Sequence, residues 1–344
     1  NLNHCLSGYI HLQAQLRPVV HPPFQPAWWL KHAHLQTIFA KYLSPKQQLT
    51  TEAEIFSLPD GDELQLNWLH CASASDNTPL LILLHGLAGD INSHYIQAML
   101  AQCRTLNWSA VLLHFRGCNG KPNKLPRAYH SGDTADAALV IKDIKQRYPK
   151  RPLVAVGYSL GGNVLLKYCG EQAAQNPLAA AVAVCPPLSL AACAKRINTG
   201  SSKLYQRYLL GRLKRSTLLK LQQFNDFPLP LTPEQIQGFA SIEQFDEYFT
   251  APIHGFKNAQ DYYQRASGMA FLRHIQIPTL IIHAKDDPFL SDEVIPKTDE
   301  LSSHIHYELT SGGGHVGFVY GSVLKPQFWL NQRIPAFIKQ QLHL

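Results

Sequence analysis

An apolar run, Pro152-Leu153-Val154-Ala155-Val156, leads directly into Gly157-Tyr158-Ser159-Leu160-Gly161, and from there into Gly162-Asn163-Val164-Leu165-Leu166-Lys167-Tyr168. The first segment reads as a buried strand and the last as a helix. A serine between two such elements stands on a tight strand-to-helix turn, with strained backbone angles and an exposed hydroxyl. The glycines leave no Cβ where the strand and helix backbones come close. G-x-S-x-G alone is a common pattern. Strand, tight turn and helix in succession is the context that a nucleophile needs.

The rest of the chain repeats that rhythm. From residue 51 onward, Glu54–Leu58 and Leu64–Leu69 flank the turn Pro59-Asp60-Gly61-Asp62, a hairpin signal. Buried-type strands follow at Leu80–Leu84, Ala110–Leu113, Leu153–Val156, Ala180–Val184, Thr279–Ile282 and Ile305–Leu309. Helical patterns lie near 94–106, 134–148 and 163–175. The expectation is an α/β fold: a mostly parallel eight-stranded sheet with helices on both faces and an antiparallel hairpin at one edge. Between Cys185 and about residue 270 no strand-like run occurs, and that stretch is too long for a plain loop. It reads as a helical cap inserted over the carboxyl ends of the strands. The expected organisation is an N-terminal extension over 1–50 packed on the core, a first core part over 51–187, a cap over 188–270 and a second core part over 271–344. The extension carries Pro22-Pro23-Phe24-Gln25-Pro26 and the pair Trp28-Trp29, which we expect to pack on the body.

Composition narrows the class. An apolar fraction of 45% with 16% charged residues is that of a globular protein, and 344 residues allow one large α/β domain with an insertion. No apolar run approaches the roughly 18 residues of a membrane span. The first residues, Asn1-Leu2-Asn3-His4-Cys5, lack a basic and then apolar leader pattern. Seven cysteines (Cys5, Cys71, Cys103, Cys118, Cys169, Cys185 and Cys193), an odd number without C-x-x-C, suit reduced thiols and a cytoplasmic location. The net charge of +7 is unevenly spread, because no acidic residue lies between Glu171 and Asp226. A solvated helix face is the plain reading of that basic stretch; peripheral contact with an anionic membrane is the functional one. Nucleic acid is not expected, since no recognition motif accompanies the charge.

Ser159 needs a base, an orienting acid and an oxyanion site, and in this architecture the chain order is serine, acid, histidine. The strand Thr279–Ile282 ends in His283-Ala284-Lys285-Asp286-Asp287-Pro288. A carboxylate just past a strand's carboxyl end lies on the rim where Ser159 should be. Asp287 has the favoured offset, and Asp286 remains the alternative, with the other of the two bonding locally in the turn. After Ile305–Leu309 comes Ser311-Gly312-Gly313-Gly314-His315-Val316-Gly317-Phe318, and His315 in that glycine-rich loop is the expected base. The turn Leu84-His85-Gly86-Leu87-Ala88-Gly89 should point backbone N–H groups into the cleft, so the Leu87 and Leu160 N–H groups are the expected oxyanion donors.

Other residues weigh toward structure. His32 and His34 form H-x-H, but no cysteine or carboxylate cluster supports a metal. Tyr158 and Asn163 beside the nucleophile are expected to pack or bond locally. His85 and Asp90 match H-x-x-x-x-D, an acyltransferase pattern, yet His85 belongs to the oxyanion turn. Arg116 in Phe115-Arg116-Gly117 reads as an ion pair organising loops, in preference to a partner for a substrate carboxylate.

Taken together these features resemble the α/β-hydrolase superfamily, and more closely its YheT-like branch, which includes bacterial YheT proteins, plant embryogenesis-associated proteins and several animal ABHD lipases. The resemblance rests on His34-Leu35-Gln36-Thr37, His85-Gly86-Leu87-Ala88-Gly89, Phe115-Arg116-Gly117, Gly157 to Asn163, Phe245-Asp246, Tyr262-Tyr263, Asp286-Asp287-Pro288 and Gly313 to Phe318. It implies a serine hydrolase acting on carboxylic esters, lipid-like ones among them, with no metal and no cofactor. Three functions follow. The first is ester hydrolysis through a Ser159 acyl-enzyme. The second is acyl transfer to an alcohol through the same intermediate. The third is a non-catalytic binding or membrane-surface protein with a relic triad. Epoxide hydrolase and haloalkane dehalogenase chemistry would need an aspartate where Ser159 stands. Acyl-chain length and oligomeric state are not set by the sequence.

Overall fold

The run Leu80-Leu81-Ile82-Leu83-Leu84 has no polar side to turn toward water, so a strand made from it needs cover on both faces. The structure, a computed structural model, describes residues 23–44, 49–72 and 74–344. In it this run is a central strand with every residue buried. The first 22 residues of the N-terminal extension, Cys5 and Pro22 among them, lie outside the described residues.

The strands are β1 (Glu52–Ser57), β2 (Glu63–Leu69), β3 (Leu80–Leu84), β4 (Ser109–Leu113), β5 (Leu153–Tyr158), β6 (Ala180–Val184), β7 (Thr279–Ala284) and β8 (Ile305–Thr310). They form one eight-stranded sheet in the order β1-β2-β4-β3-β5-β6-β7-β8. β1 pairs antiparallel with β2, and β2 antiparallel with β4; every other neighbouring pair is parallel. The turn between β1 and β2 closes where Gly61 takes φ +88° and its N–H donates to Leu58 O at 3.0 Å. β3 to β7 are buried throughout, while the edge strand β1 alternates half-buried and exposed positions.

Strand order dictates where a site can form. The chain passes from β3 to β4 on one side, then returns to place β5 on the other side of β3. The crevice beyond the carboxyl ends of β3 and β5 is therefore the switch point of the sheet, the usual place for a ligand in an open α/β fold. The loop after β3 starts at His85 and the turn after β5 holds Ser159, so both flank that crevice.

Helices α1 (Ala33–Leu43), α2 (His94–Thr105), α3 (Thr134–Arg147) and α4 (Leu160–Gln172) precede the long stretch between β6 and β7. There the chain forms α5 (Leu190–Ile197), α6 (Lys203–Gln223), α7 (Pro233–Gly238), α8 (Ile242–Phe245) and α9 (Ala259–Ala266). α8 widens into a π turn over Asp246–Thr250. A second cluster of buried apolar side chains, Leu210, Ile236, Phe239, Phe245 and Phe249, holds this region together. The chain ends in α10 (Leu330–Leu342), preceded by a short hairpin of Val319–Ser322 against Lys325–Phe328 that the sequence reading did not anticipate. Its strands contain Gly321 and Pro326, both poor strand formers.

Two expectations need correction. Trp29 packs, and its Nε1–H donates to Gly321 O at 3.1 Å, but Trp28 is 74% exposed. A turn at this pair, closed by Leu30 N–H on Ala27 O, sends the two rings apart. The basic stretch is not uniformly solvated either. Lys220 is buried, and its Nζ donates to Asn123 Oδ1, Leu125 O and Arg127 O. Burial pulls this amine down to about 8. The described cysteines are all free thiols.

Candidate active site

β5 delivers Ser159 on a turn with φ 51° and ψ −121°, a sparsely populated conformation for a residue with a side chain. Close packing enforces it. A Cβ on Gly157 would lie 2.4 Å from Gly161 O, and one on Gly161 would lie 2.5 Å from both Leu84 O and His85 O. The turn is thus pressed between its own helix and the loop after β3, with Ser159 N–H tied to Val184 O at 2.8 Å.

Three side chains meet above it. Ser159 Oγ lies 2.9 Å from His315 Nε2, and His315 Nδ1 lies 2.8 Å from Asp287 Oδ2. This network assigns Nδ1–H as donor to the carboxylate and Nε2 as acceptor from the serine hydroxyl. Asp287 is buried, and its other oxygen, Oδ1, accepts from Phe289 N–H at 2.8 Å. The Phe289 ring stacks on the His315 imidazole with centroids 4.0 Å apart. Of the two adjacent carboxylates, Asp287 is the one that reaches His315. Asp286 instead accepts from Gly314 N–H at 2.9 Å and so braces the loop that carries His315.

The backbone N–H groups around Ser159 divide into committed and uncommitted ones. Gly86 N–H donates to the Tyr95 hydroxyl, and Ala88 N–H to the Tyr129 hydroxyl. Between them, Leu87 N–H meets no acceptor among the described residues, and neither does Leu160 N–H at the first turn of α4. His85 underpins this loop. Its Nδ1–H donates to Gly86 O at 2.7 Å and its Nε2 accepts from Phe115 N–H at 3.1 Å. Burial pulls its imidazole down to about 3, so it is a neutral structural residue.

The His315 loop is held by an element far away in sequence. Thr37 Oγ1 accepts from His315 N–H at 2.9 Å and donates to Ala33 O. Buried Gln36 donates from Nε2 to Leu30 O and Val319 O, and accepts at Oε1 from Val319 N–H at 2.7 Å. His34-Leu35-Gln36-Thr37 carries no task that its sequence alone displays. Its task is to clamp this loop.

A cavity of about 620 Å³ opens over Ser159 and His315, with walls that include Ile38, Tyr42, Leu190 and Phe289. Two polar residues on its wall, Asp246 and His94, carry no role readable from the sequence. Asp246, in the π turn, accepts from the Tyr263 hydroxyl at 2.9 Å, and burial pushes its carboxyl up to about 7. His94 also lines the cavity; its Nε2 is buried without a partner, and burial pulls its imidazole down to about 4. Away from the wall, Asn163, one turn after Ser159, bonds locally as expected: it donates to Ser131 O and Ala266 O and accepts from Gly268 N–H, which joins α4 to the segment after α9.

The remaining candidates are committed elsewhere. Arg116 grips Asp136 through Nε and Nη2, and its Nη1 lies 2.8 Å from both Asp60 and Asp62, all away from the cavity. His34 bonds the Tyr205 hydroxyl at Nδ1 and the Ser201 hydroxyl at Nε2, which leaves no ring nitrogen for a metal. Among the described residues, Cys185, Asp287 and His315 bring three ligand-type atoms within 4.8 Å of one another. Asp287 and His315 already pair with each other, and burial holds the Cys185 thiol protonated, so this set does not fit a metal.

A mainly parallel sheet with a serine elbow, and an acid and a histidine on later strand ends, defines the α/β-hydrolase class. The family model for the alpha/beta hydrolase fold matches residues 79–322, and the chain belongs to that family, in its YheT-like branch. It is 40% identical over 319 residues to the Escherichia coli (strain K12) protein YheT, provisionally named an esterase, covering 93% of this chain and 94% of that one. It is 28% identical over 328 residues to human Phospholipase ABHD3, covering 94% and 80% of the two chains. Among solved structures, an esterase of Pyrococcus furiosus shares the fold with a TM-score of 0.54 at 14% identity, over 87% of this chain and 97% of that one.

Proposed function

We propose that this chain hydrolyses carboxylic esters through an acyl-enzyme on Ser159. The observation that carries the reading is the continuous relay Ser159–His315–Asp287, at 2.9 and 2.8 Å, beneath two uncommitted backbone N–H groups. Ser159 Oγ attacks the ester carbonyl carbon while His315 Nε2 takes its proton. The negative charge that develops on the carbonyl oxygen is met by the Leu87 and Leu160 N–H groups. Collapse of the tetrahedral intermediate breaks the ester C–O bond, and His315 returns the proton to the departing alcohol. Water, deprotonated by the same nitrogen, then attacks the acyl carbon and frees Ser159 and the acid. Asp287 holds the imidazole in the required tautomer and stabilises the imidazolium. None of these steps requires a cofactor.

The largely apolar cavity supports an ester with a hydrocarbon acyl chain, and esterase and phospholipase relatives support the same class. Free thiols suit a reducing compartment, which we take to be the cytoplasm. A p-nitrophenyl ester series from acetate to palmitate, run beside fluorophosphonate labelling, tests the reading. Turnover should fall at least about 10³-fold in Ser159→Ala, with labelling lost and folding unchanged. A folded Ser159→Ala protein within about tenfold of wild type would refute the assignment.

A further inference from the structure

Helix α1 carries Leu35, Ile38, Phe39 and Tyr42, spaced i, i+3, i+4 and i+7 on one face. That spacing normally marks the stripe a helix buries. Here all four are exposed, Tyr42 at 75%, while the opposite face supplies buried Gln36 and Ala40. α6 does the same with Leu204, 67% exposed, Tyr208 and Leu219. Exposed Lys203, Arg207, Arg212 and Arg215 are interleaved with them. α6 contains no acidic residue. The two helices face each other across the cavity mouth, where Lys41 and Arg212 both approach the Tyr208 ring at 6.0 Å. Ile38, Lys41, Tyr42, Tyr208 and Arg212 also line the cavity itself. The rim includes one opposing charge, Asp90, 3.8 Å from Arg212.

We propose that this face docks peripherally on an anionic phospholipid bilayer, with the cavity mouth turned toward the lipid. Cations interleaved with apolar and aromatic side chains match a surface that is anionic outside and hydrocarbon just beneath. The charge pattern argues against a second copy of this chain as the occupant, because a two-fold contact through this face would set its cations against one another. Among the described residues no helix is long and apolar enough to cross a membrane. Docking would let an ester pass from lipid to Ser159 without crossing bulk water; only that purpose rests on the esterase reading.

The test is co-sedimentation of the full chain with vesicles of phosphatidylcholine alone and of phosphatidylcholine with phosphatidylserine in equal parts. Wild type should bind the mixed vesicles more tightly, and salt should weaken that binding. Leu35→Ser/Phe39→Ser/Leu204→Ser, at exposed positions that do not line the cavity, should weaken binding to mixed vesicles by at least about tenfold. Lys203→Gln, Arg207→Gln and Arg215→Gln should each cost about fivefold, on the mixed vesicles only. Both sets should leave turnover of a water-soluble short ester unchanged, and Ser159→Ala should bind like wild type. Absence of binding to the mixed vesicles, or binding that ignores both sets, overturns the proposal while soluble-ester turnover stands. A dimer in sedimentation that the apolar triple variant dissolves would give the face to a second copy and overturn it equally. Loss of soluble-ester turnover with vesicle binding intact would count against the esterase reading alone.

Discussion

Two loops converge on the same hydrogen-bond relay, and they are held in opposite ways. The turn carrying Ser159 is fixed by its immediate surroundings: Gly157 against Gly161, and Gly161 against the start of the loop after β3. The loop carrying His315 closes on itself at Phe318 N–H to Gly313 O and is braced by Asp286, yet it also leans on a distant element. Gly313, Gly314, Val316 and Phe318 all have positive φ, and a β-branched residue pays heavily for that conformation. That further hold comes from some 280 residues earlier in the chain: Gln36 binds Val319 and Thr37 binds His315 N–H. The glycines there serve that docking, since a Cβ on Gly314 would lie 2.5 Å from Ala33 O and one on Gly317 2.5 Å from Gln36 O. Ser159 is positioned by its own βα unit, whereas His315 draws on a distant helix as well as on its neighbour Asp286.

That contrast can be broken at either end. Asp287→Asn should reduce kcat/KM for a short ester by up to ~10⁴, because the amide offers His315 Nδ1 the wrong tautomer. Asp286→Asn, which touches only the loop, should cost far less, and equal losses would show that the two carboxylates act jointly. Gly161→Ala should destabilise the protein by about 3–5 kcal/mol, since neither Leu84 O nor His85 O can retreat from the added methyl. A urea midpoint within error of wild type would mean that the elbow yields more easily than its packing suggests. At the other loop, Thr37→Val keeps the shape and removes the acceptor for His315 N–H. The expected result is about 10- to 10²-fold lower kcat with little change in KM and full Ser159 occupancy by a fluorophosphonate at saturation. Unchanged kcat would mean that the loop holds its form without α1.

The same contrast explains what the sequence could tell. The central strands read as apolar runs, the edge pair β1 and β2 as a hairpin, and the elbow as glycines at fixed spacing, because the forces that shape them act within a few residues. Asp287 and His315 could be picked out as candidates because strand ends and glycine-rich loops are also local signals, and the structure brings both to Ser159. Thr37 and Gln36 carried no readable role, since nothing near them hints that their partners are His315 and Val319. Asp246 was opaque for a related reason. An aspartate in a helical insertion looks solvated until the π turn, Tyr263 and the cavity wall are in place around it. Trp28 misled in the other direction: a tryptophan pair in an extension looks like anchorage, yet a tight turn splits it.

Asp246 also yields the smallest of the expected effects. Burial raises its carboxyl to about 7 in the folded protein, while the unfolded chain keeps the ordinary value near 3.8. Below about pH 4 both states hold the proton, and the carboxyl is neutral on either side of unfolding. Between about 4 and 7 the folded state binds a proton that the unfolded state has released, so stability from this group is lost as pH rises, until it levels off above about 7. Asp246→Asn keeps an acceptor for the Tyr263 hydroxyl and removes the titration. Urea midpoints measured across that window should therefore fall for wild type relative to the variant, with the gap opening from about pH 4 and constant above about 7. A gap of the same size at every pH would show that Asp246 is not held protonated by its burial. Unlike the clamp on His315, this effect should leave the Ser159–His315–Asp287 relay alone, so kcat at a single pH should move less than in Thr37→Val.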